Sequence, residues 1–203
     1  MLLKVLVLGD SGVGKTSLWE RYVRQTSGPY VPPKVTSGSS FSTKEANIDG
    51  QHVVMQIWDT AGQERFSSLS VLFYRSSDAC ILVCDVTHQR SLDRLDEWME
   101  EFCLQADVRD REKFPFVVIA NKVDCPESQR MISDASLAEW SKQHNNIPVF
   151  EASAIENSGV AEPFELAAQL ALRNAPQRPK KPEATPVWID RKPAVVPEKK
   201  KCC

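Results

Sequence analysis

A glycine-rich loop between an apolar run and a helical pattern constrains this chain more than any other feature of its sequence. Residues 2–8 are almost continuously apolar, which is typical of a buried strand, and residues 15–24 have a helical pattern. Between them, the stretch GDSGVGKT from Gly9 to Thr16 fits the phosphate-binding pattern G-x-x-x-x-G-K-[ST]. Glycines let backbone N–H groups converge on phosphate oxygens, and the following helix presents its positive N-terminus to them. The motif therefore predicts a nucleotide site at this loop.

Two side chains of this loop are expected to act on the phosphates directly. Lys15 would reach the β- and γ-phosphates, and the Thr16 hydroxyl would bind Mg²⁺. The residues of this region that we predict to bind nucleotide are Gly9, Asp10, Ser11, Gly12, Val13, Gly14, Lys15, Thr16 and Ser17. The motif indicates a nucleoside triphosphate but does not specify its base.

The body of the chain alternates strand and helix patterns. Apolar runs predict strands at 2–8, 40–48, 51–58, 79–85, 115–120 and 147–151. Helical patterns predict helices at 15–24, 91–106, 134–144 and 159–173, with Ser133 as the N-cap of the third. Asp49-Gly50 is a strong hairpin signal. We predict an α/β fold: a mostly parallel six-stranded sheet with one antiparallel edge strand and helices on both faces. Ligands of such sheets bind beyond the carboxyl ends of the strands.

The charge distribution divides the 203 residues into a body, 1–174, and a tail, 175–203. The net charge of −2 conceals +5 in the tail, which leaves −7 for the body. An acidic body argues against general nucleic-acid binding, whereas a basic end suits an anionic surface. The tail also holds six of the 13 prolines, which predicts a flexible linker. No apolar run reaches the roughly 18–20 residues of a membrane span.

The loop after the strand at 115–120 points to the base. In Asn121-Lys122-Val123-Asp124, a carboxylate at Asp124 can accept two hydrogen bonds from the N1–H and N2 amino edge of guanine. Adenine lacks that pair of donors, and unmatched buried polar groups are costly. Taken alone, the pattern also fits a helix-capping Asp or a solvated loop. Behind a phosphate loop it favours guanine recognition.

The loop that begins at Trp58 supplies the third set of candidates. Asp59 ends a strand and can hold Mg²⁺ through water, while Gly62 can offer a backbone N–H to a γ-phosphate. Gln63 is neutral, with a donor and an acceptor, and can orient an attacking water. Taken by itself, Gln63 is better explained as an exposed polar residue, and only the neighbouring motifs favour the catalytic role.

Together these motifs resemble the Ras-like small GTPases over about residues 2–173, the phosphate-loop small GTPase fold. GDSGVGKT, WDTAGQERF and NKVD occur in the family's order and spacing. Further stretches resemble the Rab branch and its late-endosomal and lysosomal members: Phe41, 55–59, 63–66, 67–69, 73–75 and 145–148. The resemblance implies a switch between GDP and GTP forms that regulates vesicle traffic, with slow hydrolysis unless an activating protein assists.

The same resemblance implies further site residues and partners. Thr36 stands where the family's second Mg²⁺-ligating Thr does, and Ser153 and Ala154 match its last base-binding loop. The double Cys202-Cys203 ending resembles the Rab signal for two geranylgeranyl chains. The family's partners would follow: an exchange factor, a GTPase-activating protein, an escort protein, a dissociation inhibitor and effectors on the switch face of a monomer. Its location would be the cytoplasmic face of late-endosomal or lysosomal membranes, with an inhibitor-bound cytosolic pool.

Some positions depart from the family. Ser27 stands where an aromatic side chain normally packs against guanine, and Tyr30 is the nearest replacement. Ser37 replaces an Ile and Ile155 replaces a Lys. Ser27 and Ile155 predict thinner packing on the base and faster GDP release than in typical relatives.

Two other functions remain open from the residues. A pseudo-GTPase scaffold that binds nucleotide without cycling is one alternative, motivated by the altered first switch, the segment around Thr36 and Ser37. The intact Thr16, Thr36, Asp59 and Gln63 oppose it. A phosphate-loop nucleoside kinase is opposed by NKVD and by the tail. Multiple-turnover phosphate release from GTP separates the three.

Overall fold

The computed structural model describes residues 1–24, 40–60 and 73–175. One sheet holds the six strands β1 (Leu2–Leu8), β2 (Ser40–Ile48), β3 (Gln51–Asp59), β4 (Ala79–Asp85), β5 (Phe116–Asn121) and β6 (Val149–Ala152). The α-helices in the described part are α1 (Lys15–Arg24), α2 (Gln89–Asp93), α3 (Leu95–Gln105), α4 (Asp134–Gln143) and α5 (Ala161–Asn174). A short 3₁₀ turn at Glu127–Gln129 lies between β5 and α4.

The sheet has the strand order β2-β3-β1-β4-β5-β6, and every neighbouring pair is parallel except β2 with β3. This confirms the predicted mostly parallel sheet with one antiparallel edge. The edge hairpin turns at Asp49 and Gly50, whose φ angles of 50° and 78° are those that a tight hairpin requires. Because all other strands run the same way, the loops after β1, β3, β4, β5 and β6 meet at one edge of the sheet.

Alternate side chains of the strands enter two separate hydrophobic cores. On one face, Val5 and Val7 of β1 pack with residues of α1 and α5, including Leu18 and Phe164. On the other face, Leu6 and Leu8 pack with residues of α3 and α4. Burial on both faces explains why the central strands are apolar at almost every position rather than at every second one. Helices therefore cover both faces, as predicted.

Two buried thiols follow the same alternation. Cys80 and Cys84 of β4 lie in the core under α3, on the same face of the strand. Both are free thiols. Burial raises the pKa of Cys84 to about 12.

Several boundaries differ from the predicted ones for local reasons. The helix predicted at 91–106 is two helices, α2 and α3, which meet at Arg94. α2 begins earlier than predicted because the Ser91 hydroxyl donates to the carbonyl of His88 and accepts from the N–H of Asp85, which secures the turn into the helix. Ser133 caps α4 as predicted, since its Oγ accepts from the N–H of Ser136.

The C-terminal boundary is described only in part. α5 ends at Asn174, and the predicted tail beyond Ala175 lies outside the described residues. Among the helices that are described, none is long and apolar enough to cross a membrane.

Candidate nucleotide-binding site

The phosphate loop joins β1 to α1 and depends on two glycines. Gly9 has a φ of 144°, and a Cβ on it would lie 2.3 Å from the carbonyl oxygen of Val83. Gly14 has a φ of 100°, and a Cβ there would lie 2.2 Å from Nδ2 of Asn121. A side chain at either position would meet both backbone strain and a clash. The loop can therefore pack against β4 and the end of β5 only with glycine at these two positions.

Lys15 reaches back across this loop. Its side chain is buried, and Nζ donates to the carbonyl oxygens of Gly9 and Asp10, each at 2.8 Å. The ammonium group is thus held at the mouth of the loop, near the N-terminus of α1. Both features favour an anion there.

Thr16 and Asp59 come together from α1 and the end of β3. The Thr16 hydroxyl donates to Oδ2 of Asp59 at 2.7 Å. Asp59 is only 1% exposed, and burial raises its pKa, although the Thr16 hydrogen bond and the Lys15 ammonium oppose that shift.

The pair has the chemistry of a magnesium site. Oδ1 of Asp59 is buried and has no hydrogen-bond partner among the described residues. A buried carboxylate oxygen without a partner is costly, and carboxylate and hydroxyl oxygens are the ligands that Mg²⁺ prefers. The residues present therefore fit the ion.

Asn121 connects the phosphate loop to the base-binding loops. Its side chain is buried, and Nδ2 donates to the carbonyl of Val13 at 2.8 Å. Its Oδ1 accepts from the N–H of Ala154 at 3.4 Å. Three loops that are far apart in the sequence are thus joined by one amide side chain.

Asp124 and Ser153 form the candidate guanine-recognition pair. The Ser153 hydroxyl donates to Oδ1 of Asp124 at 2.6 Å and accepts from the N–H of Glu156 at 3.0 Å. Oδ2 of Asp124 has no protein partner in the described part of the chain. The carboxylate is therefore oriented and still has acceptor capacity.

Two residues outside the sequence motifs support these loops. Asp85, at the end of β4, pairs with Nζ of Lys122 at 2.6 Å. Burial would raise the pKa of Asp85, but hydrogen bonds from Lys122 and Thr87 outweigh it, so the pKa is lowered. The location at a strand's carboxyl end was the only sequence signal for Asp85.

Arg21 of α1 is the second of these. It is buried, and its Nε and one terminal nitrogen donate to the carbonyls of Ala154 and Ile155 at 2.8 and 3.0 Å. Nothing in the sequence relates Arg21 to that loop, because the contact spans 133 residues. Ile155 itself is 52% exposed at the position where the family has a Lys.

The structure brings most of the predicted site residues to one edge of the sheet. Ser11 and Gly12 are exposed at the tip of the phosphate loop, whereas Val13 and Ser17 are buried beneath it. The remaining predicted positions lie outside the described residues: Ser27, Tyr30, Thr36, Ser37, Gly62, Gln63, Cys202 and Cys203.

Comparisons with known proteins agree with this architecture. A sequence model of the Ras family matches residues 4–173. The chain belongs to the Ras family. Among its relatives, the Ypt/Rab-type GTPase avaA of Emericella nidulans is 53% identical over 173 residues, which cover 85% of this chain and 83% of that protein. The Ras-related protein Rab7 of Gossypium hirsutum is 51% identical over 179 residues, or 87% and 85% of the two chains.

A third relative, the Ras-related protein Rab-7a of Dictyostelium discoideum, is 49% identical over 174 residues, which cover 85% of this chain and 84% of that protein. These similarities confirm the predicted Rab identity and its late-endosomal subgroup. The chain is therefore a GTP-binding, GTP-hydrolysing switch of endosomal vesicle traffic. No finding favours the scaffold alternative.

Proposed function

We propose that the edge of the sheet where Thr16 and Asp59 meet holds Mg²⁺ with GTP or GDP, and that the loops around it carry out the switch cycle. The observation that carries this proposal is the hydrogen bond from Thr16 to the buried Asp59, whose Oδ1 has no partner among the described residues, beside the phosphate loop that Lys15 contacts. In this assignment Thr16 ligates the ion directly, Asp59 holds it through water, and Thr36 is the second Thr ligand. When bound, the ion offsets negative charge on the β- and γ-phosphates.

The phosphates are assigned to the loop that begins at Gly9. Its backbone N–H groups, including that of Asp10, and the N-terminus of α1 supply donors. The Lys15 ammonium, now bonded to the loop carbonyls, supplies the positive charge. Gly62 would add a backbone N–H to the γ-phosphate.

The guanine base is assigned to the loops after β5 and β6. Asp124 accepts from N1–H and the N2 amino group, and Ser153 fixes the carboxylate for that purpose. The Ala154 N–H would donate to the base oxygen, and Tyr30 would pack near the ring. Adenine would leave the Asp124 carboxylate unmatched, which explains selectivity for guanine.

Hydrolysis is assigned to Gln63. Its amide would orient a water whose oxygen attacks the γ-phosphorus while the bond to the bridging oxygen of GDP breaks. No in-cis arginine is evident in the sequence to stabilise charge on the γ-phosphate. Slow turnover, accelerated by an arginine from an activating protein, is therefore expected.

Effectors are assigned to an aromatic cluster on the exposed side of β2 and β3. Phe41 is 53% exposed and stacks on Trp58 with ring centroids 4.8 Å apart. Trp58 contacts Phe73 at 5.3 Å. Exposed aromatic side chains of this kind are enriched where proteins bind one another. In the sequence, Phe41 follows the predicted first switch, which contains Thr36. Trp58 and Phe73 lie before and after the predicted second switch, which contains Gln63.

The tail is assigned to membrane attachment. Geranylgeranyl chains on Cys202 and Cys203, after a run of three lysines, would anchor the protein to the cytoplasmic face of late-endosomal or lysosomal membranes. The escort protein would present the tail for prenylation, and the dissociation inhibitor would hold the cytosolic pool.

A single preparation tests the nucleotide assignments. Protein purified without added nucleotide is denatured, and the released base is identified by chromatography; we expect GDP or GTP and no adenine nucleotide. Multiple-turnover phosphate release from GTP then compares wild type with Gln63→Leu, each with an activating domain. Adenine nucleotide in the extract would contradict the base assignment, and equal turnover of the two proteins would contradict the role of Gln63.

A further inference from the structure

An acidic side chain in a phosphate-binding loop is electrostatically unexpected, yet Asp10 occupies the second position of this one. A carboxylate near a bound polyphosphate repels it unless the charge is neutralised or turned away. In the structure both oxygens of Asp10 face α3. Arg94 donates to Oδ2 at 3.0 Å, and the Trp98 indole N–H donates to Oδ1 at 2.8 Å.

The two donors come from a rigid part of the molecule. Arg94 and Trp98 are one helical turn apart, and the N–H of Trp98 bonds to the carbonyl of Arg94. Trp98 is 1% exposed and lies in the core under α3. Its ring therefore cannot follow the loop, and Asp10 is held against a fixed point.

The Arg94–Asp10 ion pair is also partly shielded from water. The side chains are 27% and 17% exposed. Arg94 has a weaker second acceptor in Glu97, with Nε 3.5 Å from Oε2. The main chain of Asp10 remains part of the loop, where its carbonyl accepts from Lys15. Asp10 thus contacts α3 through its side chain and Lys15 through its main-chain carbonyl. It therefore couples the position of Lys15 to that of α3.

We propose that Arg94 and Trp98 are positioning residues for the phosphate loop, which act through the Asp10 carboxylate and lengthen the time that a guanosine diphosphate stays bound. Arg94 neutralises the carboxylate, and Trp98 sets its direction. Neither touches the phosphates. This inference rests on the proposed function, because it concerns the nucleotide assigned to the same loop.

Release of a fluorescent GDP analogue from the full chain with Mg²⁺ tests the inference. Arg94→Gln removes the charge and should speed release about threefold, as loss of one partly exposed ion pair implies. Asp10→Asn removes the carboxylate together with the ion pair and keeps an acceptor for Trp98, so its release should be slower than that of Arg94→Gln. Arg94→Gln should then add nothing in the Asp10→Asn background. Arg94→Lys should restore part of the wild-type rate.

Arg90→Gln is the matched control, because it removes the same positive charge from an exposed position on α2. It should release the analogue at the wild-type rate. A merely structural role would change the melting temperature of these variants without the dependence on Asp10. If Arg94→Gln released the analogue at the wild-type rate, or accelerated release just as much in the Asp10→Asn background, this inference would be overturned. The proposed function would still stand. Wild-type protein that holds no guanine nucleotide would overturn the proposed function with it.

Discussion

At the scale of single residues, we propose that base selection depends on the Asp124 side chain. Ser153 donates one hydrogen bond to this carboxylate and orients it, so the remaining acceptor sites of its oxygens must match the donor edge of the base. Asp124→Asn replaces an acceptor by a donor at that edge. We expect it to weaken GTP binding at least about tenfold, the ratio that one mismatched buried polar contact implies, and to favour xanthosine triphosphate. Competition binding with the two nucleotides measures this.

Asn121→Ser serves as the contrast for that measurement. It removes the amide that joins Val13 to Ala154 and should weaken both nucleotides alike, because it affects loop position rather than base chemistry. Unchanged affinity of Asp124→Asn for GTP would contradict guanine recognition by Asp124.

Asp59 belongs to the same scale. Burial raises the pKa of its carboxyl group, so the folded protein holds that proton more tightly than the unfolded chain does. Stability of the Mg²⁺-free protein should therefore fall as the pH rises from the ordinary carboxyl range through the folded-state pKa. Asp59→Asn keeps an acceptor for Thr16 and should raise the melting temperature of the Mg²⁺-free protein at pH 7. It should also weaken Mg²⁺ binding about 10- to 100-fold.

Thermal melts from acidic to neutral pH, with and without Mg²⁺, measure both effects. The melting temperatures of wild type and Asp59→Asn should converge below the ordinary carboxyl pKa, where the wild-type side chain is protonated in both states. A variant that is less stable than wild type at pH 7 without Mg²⁺ would show that burial of the charge is not the dominant cost.

At the scale of elements, α1 links the two halves of the site. Its first turn carries Lys15 and Thr16, and its last carries Arg21, which holds the loop after β6. Arg21→Met keeps the aliphatic packing but leaves two carbonyls without their donors. We expect a loss of about 2 kcal/mol in the free energy of unfolding and faster GDP release. Denaturant unfolding and release kinetics measure these.

Arg24→Met is the control for Arg21→Met. Arg24 is on the same helix, 62% exposed, and pairs only with Glu20 at 3.5 Å in the described contacts. It should change neither quantity appreciably. The diphosphate of 2-aminopurine riboside lacks the base oxygen that the Ala154 N–H is proposed to bind. Arg21→Met should therefore weaken its binding less than it weakens the binding of GDP. Equal losses would mean that Arg21 does not act through the Ala154 N–H.

At the scale of the whole molecule, we propose that the acidic body binds the nucleotide and the basic tail attaches to a membrane. About 27 residues separate the body from the two thiols, an upper reach of roughly 80 Å at about 3.1 Å per residue. Two prenyl chains anchor stably where one binds marginally, and nearby lysines add about 1 kcal/mol each at an anionic leaflet. Replacing both Cys202 and Cys203 by Ser should move the protein to the cytosol and leave GTP affinity unchanged.

Membrane fractionation and nucleotide binding on the same preparations measure this prediction. Each single Cys→Ser variant should retain partial, reversible membrane association, because one chain remains. Stable membrane association of the double variant would contradict lipid anchoring through these thiols.

The sequence by itself determined the strands, the order of the three nucleotide motifs and the family, because these depend on local patterns: apolar runs, glycines before a lysine, an Asn-Lys-x-Asp loop after a strand. Only the tertiary structure decided which side chains support the motifs. Arg21 and Ala154 are 133 positions apart, and Arg94 and Asp10 are 84 apart. Such pairs have no periodicity or spacing that a linear pattern can carry. The split between α2 and α3 falls at Arg94, which the helical pattern did not mark. Parallel strands bring distant loops to one edge, and partners for a buried charge exist only after that edge has formed.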